Sequence, residues 1–106
     1  LEKESKENNW RIRMKEIAFE DFYQLCQNGC STIIDVREEV EFKQVHIESA
    51  QNLPLSSLAD TYEVLDKNQT YYVICKSGIR SAHACQFLEE KGYDVINVPG
   101  GMDAFE

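Results

Sequence analysis

The chain has 106 residues, 42% of them hydrophobic, and this length and composition predict one globular domain with a single core. Its formal net charge of -8 argues against nucleic acid as a partner, because binding a phosphate backbone normally requires a basic surface. No apolar run approaches the roughly 20 residues that cross a bilayer, and residues 1–13 lack the apolar segment of an export signal. We therefore expect a cytoplasmic protein with no membrane partner.

The beginning of the chain is polar and shows no clean period. Residues 1–13 therefore predict a flexible lead-in or a remnant of cloning, and we expect the folded domain over residues 14–106. Within that domain, five short segments rich in apolar and β-branched residues predict β-strands. In chain order they are KEIAF, STIIDV, SAQNLPL, TYYVIC and DVINV. The continuous apolar character of the middle strands is typical of a buried parallel sheet.

Four helices are predicted between these strands. The first places four apolar residues at helical spacing before Asn28–Gly29, and the second is the short acidic segment EEVEFKQ. The third is SSLADTYEVLD, with Ser56 or Ser57 as its N-cap. The fourth begins near Ile79 and is closed by Gly92. This alternation of strands and helices predicts an α/β fold in which helices cover both faces of a parallel sheet.

A cysteine stands where the fourth predicted strand meets a short loop, in the segment Cys75–Arg80 with sequence CKSGIR. Ligands of parallel α/β sheets bind at this carboxyl end of the strands. The unpaired N–H groups at the start of the following helix can hold an anion, and Gly78 lets the loop curl so that its N–H groups face inward. Lys76 and Arg80 add positive charge. All of these features favour the thiolate, so Cys75 is predicted to be a nucleophile with a low pKa.

The other cysteines and the two histidines predict structural roles. Without an export signal, disulfides are not favoured, and a zinc site is weakly supported because Cys26 and Cys30 have no second close pair. Cys26 and Cys85 are predicted to be core residues, and Cys30 a loop thiol without an evident role. His46 and His83 are scattered, and we expect them to be structural or surface residues.

The runs IIDVREEVEFKQVHIESAQNLPL and YYVICKSGIRSAHACQFLEEKGYDVINVPGGMDAF resemble the single-domain rhodanese family of sulfurtransferases. The resemblance extends over nearly all of residues 15–105. It depends on several motifs in the family's order: Asp35-Val36-Arg37-Glu38, His46-Ile47, the Cys75–Arg80 loop and Gly100-Gly101-Met102. It implies a three-layer α/β/α domain with a central, mostly parallel five-stranded sheet.

The resemblance also implies a chemistry. Cys75 would accept a sulfane sulfur from a small anionic donor such as thiosulfate and pass it, as a persulfide, to a thiophilic acceptor such as a protein thiol. Asp35 and Arg37 would support the active-site end of the sheet, and no metal or organic cofactor is needed. The substrate would be bound by the rest of the loop, namely Lys76, Ser77, Gly78, Ile79 and Arg80.

The chain departs from the family pattern at three positions. Val45 and Ser49 stand where members often carry glycine, so the loop before the third predicted strand is expected to follow a different path if those glycines serve tight turns. Lys76 replaces an arginine that is common at the second loop position, which keeps the charge but loses the planar fork.

Two other functions remain open at this stage. One is a cysteine phosphatase or an arsenate-reductase-like enzyme, and the other is a non-catalytic binding module of the same fold. A phosphatase loop of the C-x5-R type places its arginine six positions after the nucleophile, where it forks onto a phosphate. Here Arg80 is five positions after Cys75 and Ser81 occupies the sixth, so the spacing favours sulfur transfer.

Overall fold

The fold is described by a computed structural model that covers residues 15–29 and 32–105. Its strands are β1 (Ile33–Asp35), β2 (Gln51–Asn52), β3 (Thr70–Ile74) and β4 (Asp94–Asn97). Its α-helices are α1 (Phe19–Gln27), α2 (Glu39–Gln44), α3 (Leu58–Thr61), α4 (Ile79–Glu90) and α5 (Gly101–Phe105). Two short 3-10 turns, Leu55–Ser57 and Tyr62–Val64, flank α3.

The four strands form one sheet in the order β2-β1-β3-β4, and every strand pair is parallel. Parallel neighbours require crossover connections, and the crossover helices bury both faces of the sheet. Side chains alternate along β3, so Val73 belongs to one buried cluster with Leu88 of α4, whereas Ile74 belongs to the other with Phe22 of α1. The predicted α/β fold with helices on both faces of a parallel sheet is confirmed.

The prediction of a first strand over KEIAF, and so of five strands in all, was wrong. Glu16 makes only an isolated parallel bridge to Asn97, in which the Ile17 N–H donates to the Asn97 carbonyl at 3.0 Å. Ala18 is already the N-cap of α1, so the chain turns into the helix after one bridge and the ladder cannot extend. The sheet of the described residues therefore has four strands.

The predicted helix SSLADTYEVLD is broken into three short turns. Ser57 and Thr61 mark the breaks, because both have a φ of -120° and lie outside the helical region. Their hydroxyl groups bond backward along the chain, Ser57 Oγ to the Pro54 carbonyl at 3.4 Å and Thr61 Oγ1 to the Ser57 carbonyl at 3.2 Å. Such bonds compete with the helical ladder. Ser57 occupies the predicted N-cap position of α3, but its side chain makes no capping bond.

The predicted lead-in over residues 1–13 and the role of Cys30 lie outside the described residues. Helix α5 was not predicted, because the segment after Pro99 was given no secondary structure. Among the helices of the described residues, none is long and apolar enough to cross a membrane.

Candidate active site

Cys75 directly follows β3 at the carboxyl edge of the sheet and is 1% exposed. Its sulfur accepts a hydrogen bond from the Gly78 N–H at 3.0 Å and another from the Ser81 N–H at 3.3 Å. The Ser81 hydroxyl lies 3.4 Å from the same sulfur. The end of the strand, the loop and the first turn of α4 thus converge on one sulfur atom.

These contacts decide the protonation of Cys75. Burial by itself raises the pKa of the thiol, because a charge is less stable away from water. The hydrogen bonds outweigh burial: the Ser81 hydroxyl and the N–H groups of Ser81, Gly78 and Ser77 lower the pKa of Cys75 below its ordinary value. The site therefore favours a thiolate, which is the reactive form of cysteine.

Two glycines allow the loop to close around the sulfur. Gly78 has a φ of +99°, and a side chain there would place its Cβ 2.8 Å from Cα of Pro99. Gly101 has a φ of +56°, and a Cβ there would lie 2.6 Å from the Lys76 carbonyl oxygen. Neither the backbone conformation nor the space at these positions suits another residue.

Helix α5 holds the other side of the loop. The Met102 N–H donates to the Cys75 carbonyl at 2.8 Å, and the Asp103 N–H donates to the Lys76 carbonyl at 2.9 Å. Carbonyl groups of the loop are thereby bound by α5 while N–H groups from Gly78 and Ser81 bind the sulfur. This division orients the loop dipoles so that their positive ends surround Cys75.

Both cations of the loop are engaged in ion pairs. Lys76 Nζ lies 3.1 Å from Asp103 Oδ1 at the surface. Arg80 forks onto Glu41 of α2, with Nη1 to Oε1 at 2.7 Å and Nη2 to Oε2 at 3.0 Å. The predicted positive charges are therefore close to the loop, but carboxylates balance them. Of the remaining loop residues, Ser77 is exposed and Ile79 is 67% exposed.

Asp35 and Arg37 form a buried ion pair. Arg37 Nη2 donates to Asp35 Oδ2 at 2.8 Å and to the Val45 carbonyl at 2.7 Å. Asn52 Nδ2 donates to the Asp35 and Arg37 carbonyls, each at 2.9 Å. Buried charges need partners of this kind to offset the loss of hydration. The cluster fixes the conformation of the segment between β1 and β2. This segment contains α2, which places Glu41 beside Arg80.

The profile of the rhodanese-like domain matches residues 18–106. The chain belongs to the rhodanese-like family. The Bacillus subtilis protein YtwF is 40% identical over 74 residues, which are 70% of this chain and 72% of that protein. The thiosulfate sulfurtransferase GlpE of Actinobacillus pleuropneumoniae is 32% identical over 92 residues, which are 86% of this chain and 85% of GlpE.

Solved structures of the rhodanese-like family have the same fold. A rhodanese-like domain protein from Staphylococcus aureus superimposes with a TM-score of 0.83 at 33% sequence identity, covering 88% of this chain and 92% of that one. The family resemblance that the motifs indicated is therefore confirmed, and relatives of this chain include a protein named thiosulfate sulfurtransferase.

The two positions at which rhodanese-like proteins often carry glycine do not need one here. Val45 is extended, with φ of -160° and ψ of 137°. Within residues 15–29 and 32–105, no residue other than glycine has a positive φ, so Ser49 also has an ordinary backbone conformation. The segment before β2 accordingly follows a path that any L-residue can adopt.

The other candidate groups of this rhodanese-like domain lie outside the Cys75–Arg80 loop. Cys85 is fully buried in the core, and burial is the main cause that raises its pKa to about 12. Cys26 is half-buried against the second core cluster. His46 is exposed and stacks on Phe42, and His83 is exposed on α4. Over the described part of the chain, no cluster of His, Cys, Asp or Glu side chains has the arrangement of a metal site.

Sequence reasoning missed two residues of the site. Ser81 was not predicted as a site residue, although a hydroxyl on the buried helix face of Ala84, Cys85 and Leu88 could have indicated a polar partner. Glu41 was treated only as part of an acidic helix. Its partner Arg80 is 39 positions away, and no local pattern connects the two.

Replacing Ser81 with alanine should raise the pKa of Cys75, because the variant removes the hydroxyl that stabilises the thiolate and keeps the N–H. The pH at which alkylation of Cys75 is half-maximal should move upward, and alkylation at neutral pH should slow. The measurement is the rate of iodoacetamide labelling against pH. Ser77→Ala is the matched control for this midpoint, since the backbone N–H of Ser77 acts on the sulfur and alanine retains it. An unchanged midpoint in Ser81→Ala would show that the Ser81 hydroxyl does not stabilise the Cys75 thiolate.

Proposed function

We propose that this protein is a sulfurtransferase that carries a sulfane sulfur as a persulfide on Cys75. One observation supports this most directly: a buried cysteine sulfur at the carboxyl end of β3 receives two backbone N–H bonds and lies beside a hydroxyl. That environment stabilises negative charge on sulfur, first on the thiolate and then on the persulfide. Thiosulfate or a related anion is the proposed donor, in line with the name of the relative GlpE.

The transfer has two steps. In the first, the Cys75 thiolate attacks the outer sulfur of thiosulfate, the S–S bond of the donor breaks, and sulfite leaves with the electron pair. In the second, a thiophilic acceptor attacks the terminal sulfur of the persulfide and releases the Cys75 thiolate. The anionic sulfur remains within reach of the loop N–H groups throughout, so the loop need not reorganise between the steps.

Each predicted site residue has a part in this proposal. Cys75 is the nucleophile, and the loop from Lys76 to Arg80 surrounds the substrate with its N–H groups. Arg80 closes this loop and is paired with Glu41. Asp35 and Arg37 support the site from below by fixing the chain between β1 and β2. A protein thiol is the proposed acceptor in a cell, and a cytoplasmic location remains a prediction from composition.

Thiosulfate should add one sulfur atom to the protein. Intact-mass spectrometry after incubation with thiosulfate is the measurement, and cyanide or a reducing thiol should return the mass to its original value. The same preparation should not hydrolyse an aryl phosphate, because the loop lacks an arginine six positions after the cysteine. Phosphate release that depends on Cys75, without any sulfur adduct, would identify a phosphatase instead. Absence of both reactions would favour a non-catalytic binding module.

A further inference from the structure

The guanidinium group at the end of the Cys75–Arg80 loop is already bound to a carboxylate. Both terminal nitrogens of Arg80 bond to the two oxygens of Glu41, at 2.7 and 3.0 Å. This is the bidentate geometry that an arginine would offer to an oxyanion such as a sulfonate group. Glu41 therefore fills the place on Arg80 that an anionic donor would need.

The bidentate ion pair between Arg80 and Glu41, here called the fork, is stabilised by further contacts of Glu41. Glu41 Oε1 also accepts the Glu38 N–H at 3.0 Å, and the Glu38 side chain binds a backbone N–H in return, which completes a capping box at the start of α2. The hydrogen bond from Arg80 is the main cause that lowers the pKa of Glu41 to about 2. The Glu41 carboxylate is therefore ionised at neutral pH and can pair with Arg80.

The mouth of the site has little positive charge left for a donor. Lys76 is paired with Asp103, Arg80 is paired with Glu41, and Glu38 is a further carboxylate whose field acts on Arg80. In its thiolate form, Cys75 adds one more negative charge that acts on Arg80. A doubly charged donor entering this surface meets repulsion that a freed Arg80 would offset.

We propose that Glu41 is a positioning residue that withholds Arg80 from anionic sulfur donors and thereby sets the donor selectivity of the site. The inference rests on the proposed function, since it concerns the first step of the transfer. Loss of the fork should favour donors in proportion to their negative charge, because the Coulomb interaction with Arg80 scales with that charge.

The test compares two donors whose leaving groups differ in charge. Thiosulfate is a dianion, and its reaction with the Cys75 thiolate yields the persulfide anion and the sulfite dianion. An aryl thiosulfonate is a monoanion, and the same attack yields the persulfide anion and a sulfinate. In both reactions one S–S bond breaks as another forms, and no outside oxidant or reductant is required.

Glu41→Gln is the variant of choice. A glutamine oxygen can still accept the Glu38 N–H, so the capping box remains while the negative charge is lost. We expect kcat/KM for thiosulfate to rise about tenfold, since a hydrogen bond between charged groups is worth about that factor. For the thiosulfonate we expect a rise of about threefold, because the donor carries half the charge.

Two further variants separate the fork from a general change in charge. Glu39→Gln removes one negative charge from the same helix turn, but Glu39 is 70% exposed and pairs with Lys43 rather than Arg80. It should leave the ratio of the two donors unchanged. Combining Glu41→Gln with Arg80→Gln should cancel the gain, because the effect of Glu41 is exerted through Arg80.

The outcomes distinguish this inference from the proposed function. If neither donor produces a sulfur adduct on the wild-type protein, the proposed function fails. If both donors produce it and Glu41→Gln leaves their ratio unchanged, only the inference about Glu41 fails. An equal change in the ratio with Glu39→Gln, or a gain that persists without Arg80, would overturn it as well. A thermal unfolding measurement on each variant identifies any that fails to fold, and Glu41→Asp then provides a second test with a shortened fork.

Discussion

Replacing Cys75 with serine is expected to abolish the sulfur adduct and all transfer from thiosulfate. A hydroxyl is a far weaker nucleophile than a thiolate at neutral pH, and it cannot form a persulfide. The fold should survive, because a hydroxyl fills nearly the same space and can accept the hydrogen bonds that the Gly78 and Ser81 N–H groups now give to the sulfur. The measurement is the intact mass after thiosulfate treatment, together with the rate of thiocyanate formation when cyanide is the acceptor.

Cys85→Ser is the matched control for this prediction. Cys85 is also a buried cysteine, but it packs in the core, and its pKa is raised to about 12, so it is protonated at neutral pH. The variant should lose about 1–3 kcal/mol of stability where its hydroxyl is buried without a partner, and it should retain the adduct. An adduct that survives in Cys75→Ser and disappears in Cys85→Ser would contradict the assignment of the nucleophile.

Gly78→Ala should disrupt both stability and activity. A left-handed backbone costs an ordinary residue about 1–2 kcal/mol, and displacing a packed neighbour adds about 1–3 kcal/mol. Here the added Cβ would overlap the backbone of Pro99, including its carbonyl oxygen. Because the overlapping atoms belong to the backbone, no side-chain rotation can relieve the overlap. We expect a loss of about 3 kcal/mol in the free energy of unfolding. The loop would have to shift to make room, so formation of the sulfur adduct should fall as well.

Gly29→Ala controls for the backbone conformation alone. Gly29 has a φ of +73°, but a Cβ there would have no heavy atom within 4 Å. Its replacement should therefore cost about 1 kcal/mol and leave the sulfur adduct unchanged. Urea unfolding of both variants measures the difference. Equal losses of stability would show that contact with Pro99 contributes nothing, and the account of how the loop closes around Cys75 would then be wrong.

Short-range patterns account for the features that were predicted well. The apolar runs of β1 and β3, the helical spacing of α1 and α4 and the stop at Gly92 all depend on neighbours within a few residues. The same holds for the Cys75 loop, because a strand end, a glycine and a helix start within six positions are enough to bring N–H groups toward a side chain. These features could be deduced because their physical causes are local.

The errors of prediction arise where local propensity competes with the rest of the chain. KEIAF has the composition of a strand, but α1 begins too soon after it for a ladder to extend. SSLADTYEVLD has the spacing of a helix, but its own hydroxyl groups bond backward and break it. The short helix after Pro99 depends on contacts with Cys75 and Lys76, which lie far earlier in the chain.

The α/β fold class, the position of Cys75 at a strand end and a loop able to favour a thiolate can all be predicted from the sequence. The arrangement of the charges near that thiolate depends on the packing of the folded chain. The pairings of Arg80 with Glu41 and of Lys76 with Asp103 join residues that lie far apart in the chain. Periodicity describes which face of an element is buried, whereas such pairs depend on how elements pack against one another. The reactivity of Cys75 thus depends mainly on neighbouring residues in the sequence, whereas the arrangement of charges around it depends on the fold.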